Sequence, residues 1–244
     1  MSDPQGLRYD AVAEDYEQGR VAWPAAVVEG VDGVVVLDLA AGTGKLTRVL
    51  VDRFPRVIAV EPLPGMRTLL ERIVPAAEVL AGTAEAIPLP AASVDAAFVA
   101  EAFHWFDPEA ATAELARVLR PGGQLRLLFN MWKGPFRPSL GPEARELLRG
   151  LAAKAGHGGG PKIVAGEWRR GFADQPFTPL EERHVENEAV TDRDGAVAHL
   201  VSTSAAASLP EDERRALAES LRRAIRPGTY RLGIDIHVYD ARRV

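Results

Sequence analysis

The run Val34-Val-Val-Leu-Asp-Leu-Ala-Ala-Gly-Thr-Gly-Lys-Leu-Thr47 constrains the fold more than any other part of this chain. A β-branched apolar stretch ends at Asp38. A turn of small residues, Ala40-Ala-Gly-Thr-Gly44, follows, and a helix is predicted to open at Lys45. A strand, a tight loop and a helix in this order bring a ligand against backbone N–H groups. The small residues let the backbone approach closely and reach dihedrals that larger side chains resist. The next apolar run, Val57-Ile-Ala-Val60, ends in Glu61, placed where a carboxylate grips both hydroxyls of a ribose.

Two nucleotide signatures compete for this loop. A nicotinamide site has the pattern G-x-G-x-x-G, with its third glycine inside the helix; Thr47 occupies that position and weakens the reading. A P-loop needs an upstream glycine and a Ser or Thr after Gly-Lys; here Gly44-Lys45 is followed by Leu46, so it is set aside.

Apolar runs and amphipathic stretches alternate through the first half of the chain. Strands are predicted near residues 34–40, 57–60, 78–81, 94–100 and 124–130, and helices near 45–53, 65–73 and 108–119, with Pro121-Gly-Gly123 as a turn. Such alternation implies a parallel, doubly wound α/β sheet. Ligands then bind beyond the carboxyl ends of the strands, where Asp38, Glu61, Ala100 and Asn130 stand. Residues 8–28 read as helical pieces able to cover that edge. Tyr230-Arg-Leu-Gly-Ile-Asp-Ile-His-Val-Tyr239 alternates as a strand with one buried face does. There is no internal repeat or linker, and Gly156-His-Gly-Gly-Gly-Pro161 is the one loose tract.

With 244 residues the chain is long enough for one α/β domain with a sizeable core. The net charge of −5 argues against a general nucleic-acid binder. The absence of cysteine excludes disulfides, thiolate metal sites and a thiol nucleophile. No apolar run is long enough to span a bilayer and the N-terminus lacks a secretory segment, so the expected setting is cytoplasmic. The abundance of Ala, Arg and Pro suggests a bacterial source with a GC-rich genome.

The pattern D-x-A-A-G-T-G resembles motif I of the class I S-adenosylmethionine (SAM) methyltransferases, with Ala40 in place of the first glycine. Ala81-Gly-Thr-Ala-Glu-Ala-Ile-Pro-Leu-Pro90 resembles the loop that flanks the adenine, with Thr83 where an acidic residue is common. Glu101-Ala-Phe-His-Trp-Phe-Asp107 resembles a phrase of the type 11 methyltransferase family and of relatives of trans-aconitate methyltransferase. Leu115-Ala-Arg-Val-Leu-Arg-Pro-Gly-Gly123 resembles the turn that follows. The resemblance runs from about Tyr9 to Asn130, nearly vanishes, and returns more weakly after Leu180.

The resemblance implies a Rossmann-like, mostly parallel seven-stranded sheet with a C-terminal antiparallel strand. Its closing hairpin would pair the last strand with residues 180–190. It also implies that residues 1–244 form one domain, with a helical cover over 1–30 and a variable, lid-like insertion over 131–177. The implied cofactor is SAM, leaving as S-adenosylhomocysteine (SAH), and the implied partner is a small-molecule methyl acceptor. Cofactor contacts would come from Tyr16, Arg20, Asp38, Ala40, Gly42, Gly44, Glu61, Met66, Thr83, Ala84, Glu85 and Ala100. Trp105, Asn130 and Trp132 would wall the acceptor pocket, and His104 is the candidate base. Trp132, Phe136, Trp168 and Phe172 supply large apolar groups to the insertion.

His157-Gly-Gly-Gly mimics an esterase oxyanion loop, but no G-x-S-x-G supplies a nucleophile. His184, His199 and His237 show no metal-ligand spacing, so no metal site is expected. The alternatives to a small-molecule methyltransferase are a nucleotide-dependent oxidoreductase, a SAM-binding protein without turnover, and an enzyme with a macromolecular acceptor.

Overall fold

The computed structural model describes residues 13–133, 140–155 and 159–244. The first elements are α1 (Ala13–Gly19), a 3-10 turn (Ala25–Val27), β1 (Val35–Leu39), α2 (Thr47–Val51), β2 (Arg56–Val60), α3 (Pro64–Ile73), β3 (Glu78–Leu80) and β4 (Val94–Ala100). A second 3-10 turn (Phe103–Trp105), α4 (Pro108–Val118) and β5 (Leu119–Lys133) complete the alternating half. The remainder is α5 (Pro142–Ala155), α6 (Gly159–Ala165), a 3-10 segment (Glu167–Phe172), β6 (Glu181–Thr191), α7 (Arg193–Val201), α8 (Ser204–Ala207), α9 (Glu211–Ala224) and β7 (Tyr230–Arg242).

One seven-stranded sheet runs β3-β2-β1-β4-β5-β7-β6. The pairs among β1 to β5 are parallel, and β7 pairs antiparallel with both β5 and β6. This is the Rossmann-like class I arrangement expected from the sequence, including the closing hairpin. Because β1 lies between β2 and β4, the loops leaving β1 and β4 part in opposite directions and open a crevice.

Alternation along the central strands divides the core. Leu37, Leu39, Ile58, Val60, Ala97, Val99, Leu127 and Phe129 pack on one face. Val36, Val57, Ala96, Phe98, Leu128, Ile234 and Ile236 pack on the other. Both faces are buried, as covering helices require, so these strands read as nearly continuous apolar runs. Each fully buried Leu or Phe contributes about 1.5–3 kcal/mol.

Two expectations differ in detail. The helix foreseen over residues 45–53 is regular only over Thr47–Val51, because residues 40–46 remain in the loop. Pro121-Gly-Gly123 lies within β5 as a bulge: the register jumps from Val94↔Leu119 to Ala96↔Gln124, and Gly122 takes φ +79°.

Arg126 ties the N-terminal segment to the sheet. Its guanidinium donates to both carboxylate oxygens of Asp240 (2.6 and 3.0 Å) and to the carbonyls of Val27 and Glu29 (2.8 and 2.7 Å). A side chain buried to this extent needs each of those partners.

Candidate functional site

Asp38, the penultimate residue of β1, is buried and accepts a hydrogen bond from Thr47 Oγ1 at 2.6 Å. Burial pushes its carboxyl up to about 7; the Thr47 hydroxyl opposes that rise and the charge of Glu61 adds to it. The loop beyond turns through three left-handed residues, Ala40 (φ +57°), Gly42 (φ +59°) and Gly44 (φ +86°). The two glycines differ in use. A Cβ on Gly42 would meet nothing within 4 Å, so this backbone faces open space. A Cβ on Gly44 would lie 2.4 Å from Leu70 Cδ1, so Gly44 lets α3 pack against the loop.

Glu61, just past β2, is buried and holds the loop from the side. Its Oε2 accepts the Gly42 N–H at 2.8 Å and its Oε1 accepts the Leu63 N–H at 2.9 Å. Both carboxylate oxygens thus hold backbone N–H groups of the loop, and Glu61 supports the wall of the cavity described next without being one of its lining residues.

One cavity lies at the carboxyl ends of β1 and β4. Among its lining residues, Tyr16, Arg20, Asp38, Ala40, Gly42, Ala100 and Asn130 were all anticipated from the sequence. The Arg20 guanidinium lies 5.1 Å from the Tyr16 ring centroid. It donates to the Ser202 carbonyl at 3.0 Å, while its Nε is buried and has no hydrogen-bond partner among the described residues. A buried donor facing a cavity suits a carboxylate ligand.

Glu101 was not singled out from the sequence, yet it lines this cavity beside Asp38. It takes φ +55°, a strained conformation for a residue with a Cβ, and its carboxylate accepts the Asn130 N–H. Burial pushes it up to about 7, against that hydrogen bond and the charge of Arg20. Its place directly after β4 is the signal that sequence reading offered. Glu17 was also missed. It joins α1 to the loop by accepting from Thr43 Oγ1 at 2.7 Å and pairing with Lys45 at 3.3 Å and with Arg48. At the end of α1, a Cβ on Gly19 would lie 2.1 Å from the His199 backbone nitrogen, so only glycine permits this contact with α7.

Other anticipated residues lie elsewhere. Met66 is buried on α3 and Ala84 is buried in the core. Thr83 forms an isolated bridge with Ala86, and Glu85 accepts the Asp107 N–H at 3.2 Å. None of these four lines the Arg20–Asp38 cavity. His104 and Trp105 line a second cavity of about 250 Å³, together with Phe103, Lys162, Trp168 and Arg170. Trp168 and Phe172 pack with Phe103 as an aromatic cluster. The side chain of Trp132 lies outside the described residues, as do Tyr9, Phe136 and His157.

The loop, the strand-end Glu61 and the Arg20 donor fit SAM: an acceptor for ribose hydroxyls, a close backbone approach, a donor for the amino-acid carboxylate, and acidic groups for cationic centres.

The family model of the type 11 methyltransferase domain matches residues 37–127. An uncharacterized methyltransferase of Mycobacterium tuberculosis is 47% identical over 127 residues, 51% of this chain and 52% of the relative. The demethylmenaquinone methyltransferase of Renibacterium salmoninarum is 29% identical over 182 residues, 72% of this chain and 77% of the relative. The chain spans about half the length of the first of these. A solved structure from Anaeromyxobacter dehalogenans, assigned as a type II methyltransferase, is similar with TM-score 0.62 and 27% identity, over 91% of this chain and 97% of the other. The [4+2]-cyclase SpnF shares the fold at TM-score 0.58 and 16% identity, over 99% of this chain and 96% of that one. The methyltransferase domain model thus covers residues 37–127, which hold the glycine-bearing loop and most of the parallel part of the sheet, and over this part the chain is similar to methyltransferases whose Rossmann-like class I fold it shares.

Proposed function

We propose that this protein transfers a methyl group from SAM to a small-molecule acceptor in the bacterial cytoplasm. The observation that carries the reading is the loop after β1, locked by Glu61 through the Gly42 N–H and facing the Arg20 Nε across one cavity. When bound, SAM supplies a methyl group already activated on a sulfonium. The chain's own residues then bind and orient. Glu61 receives the ribose hydroxyls, Arg20 the amino-acid carboxylate, and Asp38 with Glu101 surround the cationic end. Holding an acceptor in line contributes about 7–11 kcal/mol of barrier lowering. His104 stands in the neighbouring aromatic cavity, which we read as the acceptor side, and removes a proton there when the acceptor is a hydroxyl, an amine or a carbon acid.

In the same reading residues 1–244 act as one domain, the segment 131–177 together with the N-terminal cover 9–23 sets acceptor specificity, and nucleic acid and membranes are not partners. No helix among the described residues is long and apolar enough to cross a membrane. The test is calorimetry with SAM, SAH, NAD and ATP, followed by SAM consumption with a panel of acceptors. Binding of SAM and SAH alone supports the assignment. NAD binding without SAM binding would return the chain to the oxidoreductases, and SAM binding without turnover of any acceptor would favour a binding protein.

A further inference from the structure

His184 and His237 are far apart in sequence, but the β6–β7 register sets them directly opposite one another, with ring centroids 4.1 Å apart. Glu182 lies two residues before His184 on the same face of β6, and Asp235 two residues before His237 on the same face of β7. A carboxylate therefore stands on each side of the imidazole pair.

Both nitrogens of both rings face carboxylate oxygen. On one side, Glu182 Oε1 lies 3.0 Å from His237 Nδ1 and 3.7 Å from His184 Nε2. On the other, Asp235 Oδ2 lies 3.1 Å from His184 Nδ1 and 3.6 Å from His237 Nε2. A neutral imidazole has one N–H and one lone pair. With acceptors at both ends, each ring turns a lone pair toward an anionic oxygen. One divalent cation held between the rings and a carboxylate would take up one lone pair from each imidazole.

We propose that Glu182, His184 and His237 bind a zinc-class divalent metal ion, with Asp235 orienting the two imidazoles. One donor atom from each of Glu182, His184 and His237 lies within 4.8 Å of the other two. A tetrahedral ion with bonds of about 2.0–2.1 Å brings its ligands to roughly 3.4 Å apart, so the triangle needs only small side-chain adjustments. Asp235 then accepts the outer ring N–H groups, as carboxylates behind metal-bound histidines do. The Tyr239 hydroxyl donates to Glu182 Oε1 at 2.7 Å and fixes the third ligand. Two imidazoles with one carboxylate suit zinc, not magnesium or calcium, which need more oxygen ligands. The His184 side chain is 48% exposed, so the fourth position opens to solvent.

The site joins β6, at the edge of the sheet, to its neighbour β7. It also adjoins the aromatic cavity: Arg169 lies 3.7 Å from Glu182 Oε2 and stacks on both Tyr239 and Trp168. Occupancy is therefore expected to stiffen the edge that supports the Glu167–Phe172 segment.

The test uses the full chain without an affinity tag, stripped with a chelator and titrated with zinc sulfate by calorimetry, with metal content measured after dialysis. One zinc per chain is expected, with a raised Tm, while magnesium and calcium do not compete. His184→Ala and His237→Ala should lose the site. Asp235→Asn should weaken it by about 10–100-fold. Cobalt substitution should give the visible absorption of a four-coordinate centre. Circular dichroism of the variants confirms that they fold. Zinc bound equally by the His184→Ala/His237→Ala double variant, or no binding by the parent, would overturn the proposal.

Discussion

The hydroxyl of Thr47 and the carboxylate of Asp38 form a buried hydrogen bond at 2.6 Å across the turn that joins β1 to α2. The residue that breaks the nicotinamide pattern is thus the one that holds the motif I acid. A glycine at this position would leave the Asp38 oxygen without its donor. Thr47→Val keeps the shape and removes the hydroxyl, so it should cost about 1–3 kcal/mol, the penalty of an unsatisfied buried acceptor. Denaturant unfolding measures this, and an unchanged midpoint would show that the pair contributes nothing.

Ala40 stands where the family has glycine, and its φ of +57° places a Cβ in the left-handed region. That conformation costs about 1–2 kcal/mol for a residue with a Cβ. A glycine there would relieve the strain but lose about 0.4–1 kcal/mol through the greater entropy of the unfolded chain. Relief of strain outweighs that loss, so Ala40→Gly should raise stability by a net ~0.5–1 kcal/mol. It reads as a higher Tm with SAM affinity retained.

Asp38 and Glu101 are both pushed up to about 7. For an acid whose folded value is raised, the protonated form stabilises the fold, and that contribution is lost as pH rises through about 7. His199 has the opposite sign. Burial, with the charge of Arg20, pushes it down to about 3 from 6.5, so stability is lost as pH falls below 6.5. Two acids outweigh one histidine where the windows overlap, so these groups together should make the free protein less stable as pH rises from 4.5 to about 7. SAM brings cationic groups that favour the ionised carboxylates. Its affinity should rise with pH through 7 with release of protons, which calorimetry in buffers of different ionisation enthalpy detects. SAH lacks the sulfonium and should show a shallower dependence.

Glu61→Ala should weaken SAM binding on the order of tenfold to several hundredfold. A charged acceptor contributes about 1.5–3 kcal/mol per hydrogen bond, and here it also fixes the Gly42 backbone. Glu61→Gln keeps one acceptor oxygen and should fall between the two. Equal affinity in Glu61→Ala would remove this strand end from the ribose site.

The parallel half of the fold was legible because its signals are local: apolar runs of strand length, small-residue turns and acids at strand ends. Asp107, for example, caps α4 by accepting the Ala110 N–H at 3.0 Å just before Pro108. The turn between β1 and α2 was legible for the same reason. Glu17 and the His184–His237 pair were not, because their partners arrive by tertiary contact across long stretches of chain. Glu101 was hidden differently. It stands inside a recognised phrase, but only its positive φ and the cavity it lines give it a role. Trp168, a large apolar group of the insertion, both lines the second cavity and packs in the aromatic core, two uses that hydrophobicity alone does not separate.

Glu101 and His104 both follow β4 but line different cavities, so their removal should leave different kinetic signatures. Glu101 and Arg20 line the same cavity, a carboxyl and a cation that under the proposed function would receive the amino-acid end of SAM. Glu101→Gln should weaken SAM and SAH binding by about 10–150-fold, the equivalent of one charge-assisted hydrogen bond, with kcat at saturating SAM nearly preserved. His104 lies in the aromatic cavity, with its ring 4.6 Å from that of Trp105 and 5.9 Å from that of Phe129. His104→Ala should leave SAM affinity intact and lower kcat by about 10²–10⁴ where the acceptor must lose a proton. A carboxylate acceptor needs no base, so with one the same variant should turn over almost normally. SAH release, measured for both variants across the acceptor panel, separates these outcomes. If His104→Ala loses SAM affinity and keeps its turnover, the aromatic cavity belongs to the cofactor and the acceptor enters elsewhere.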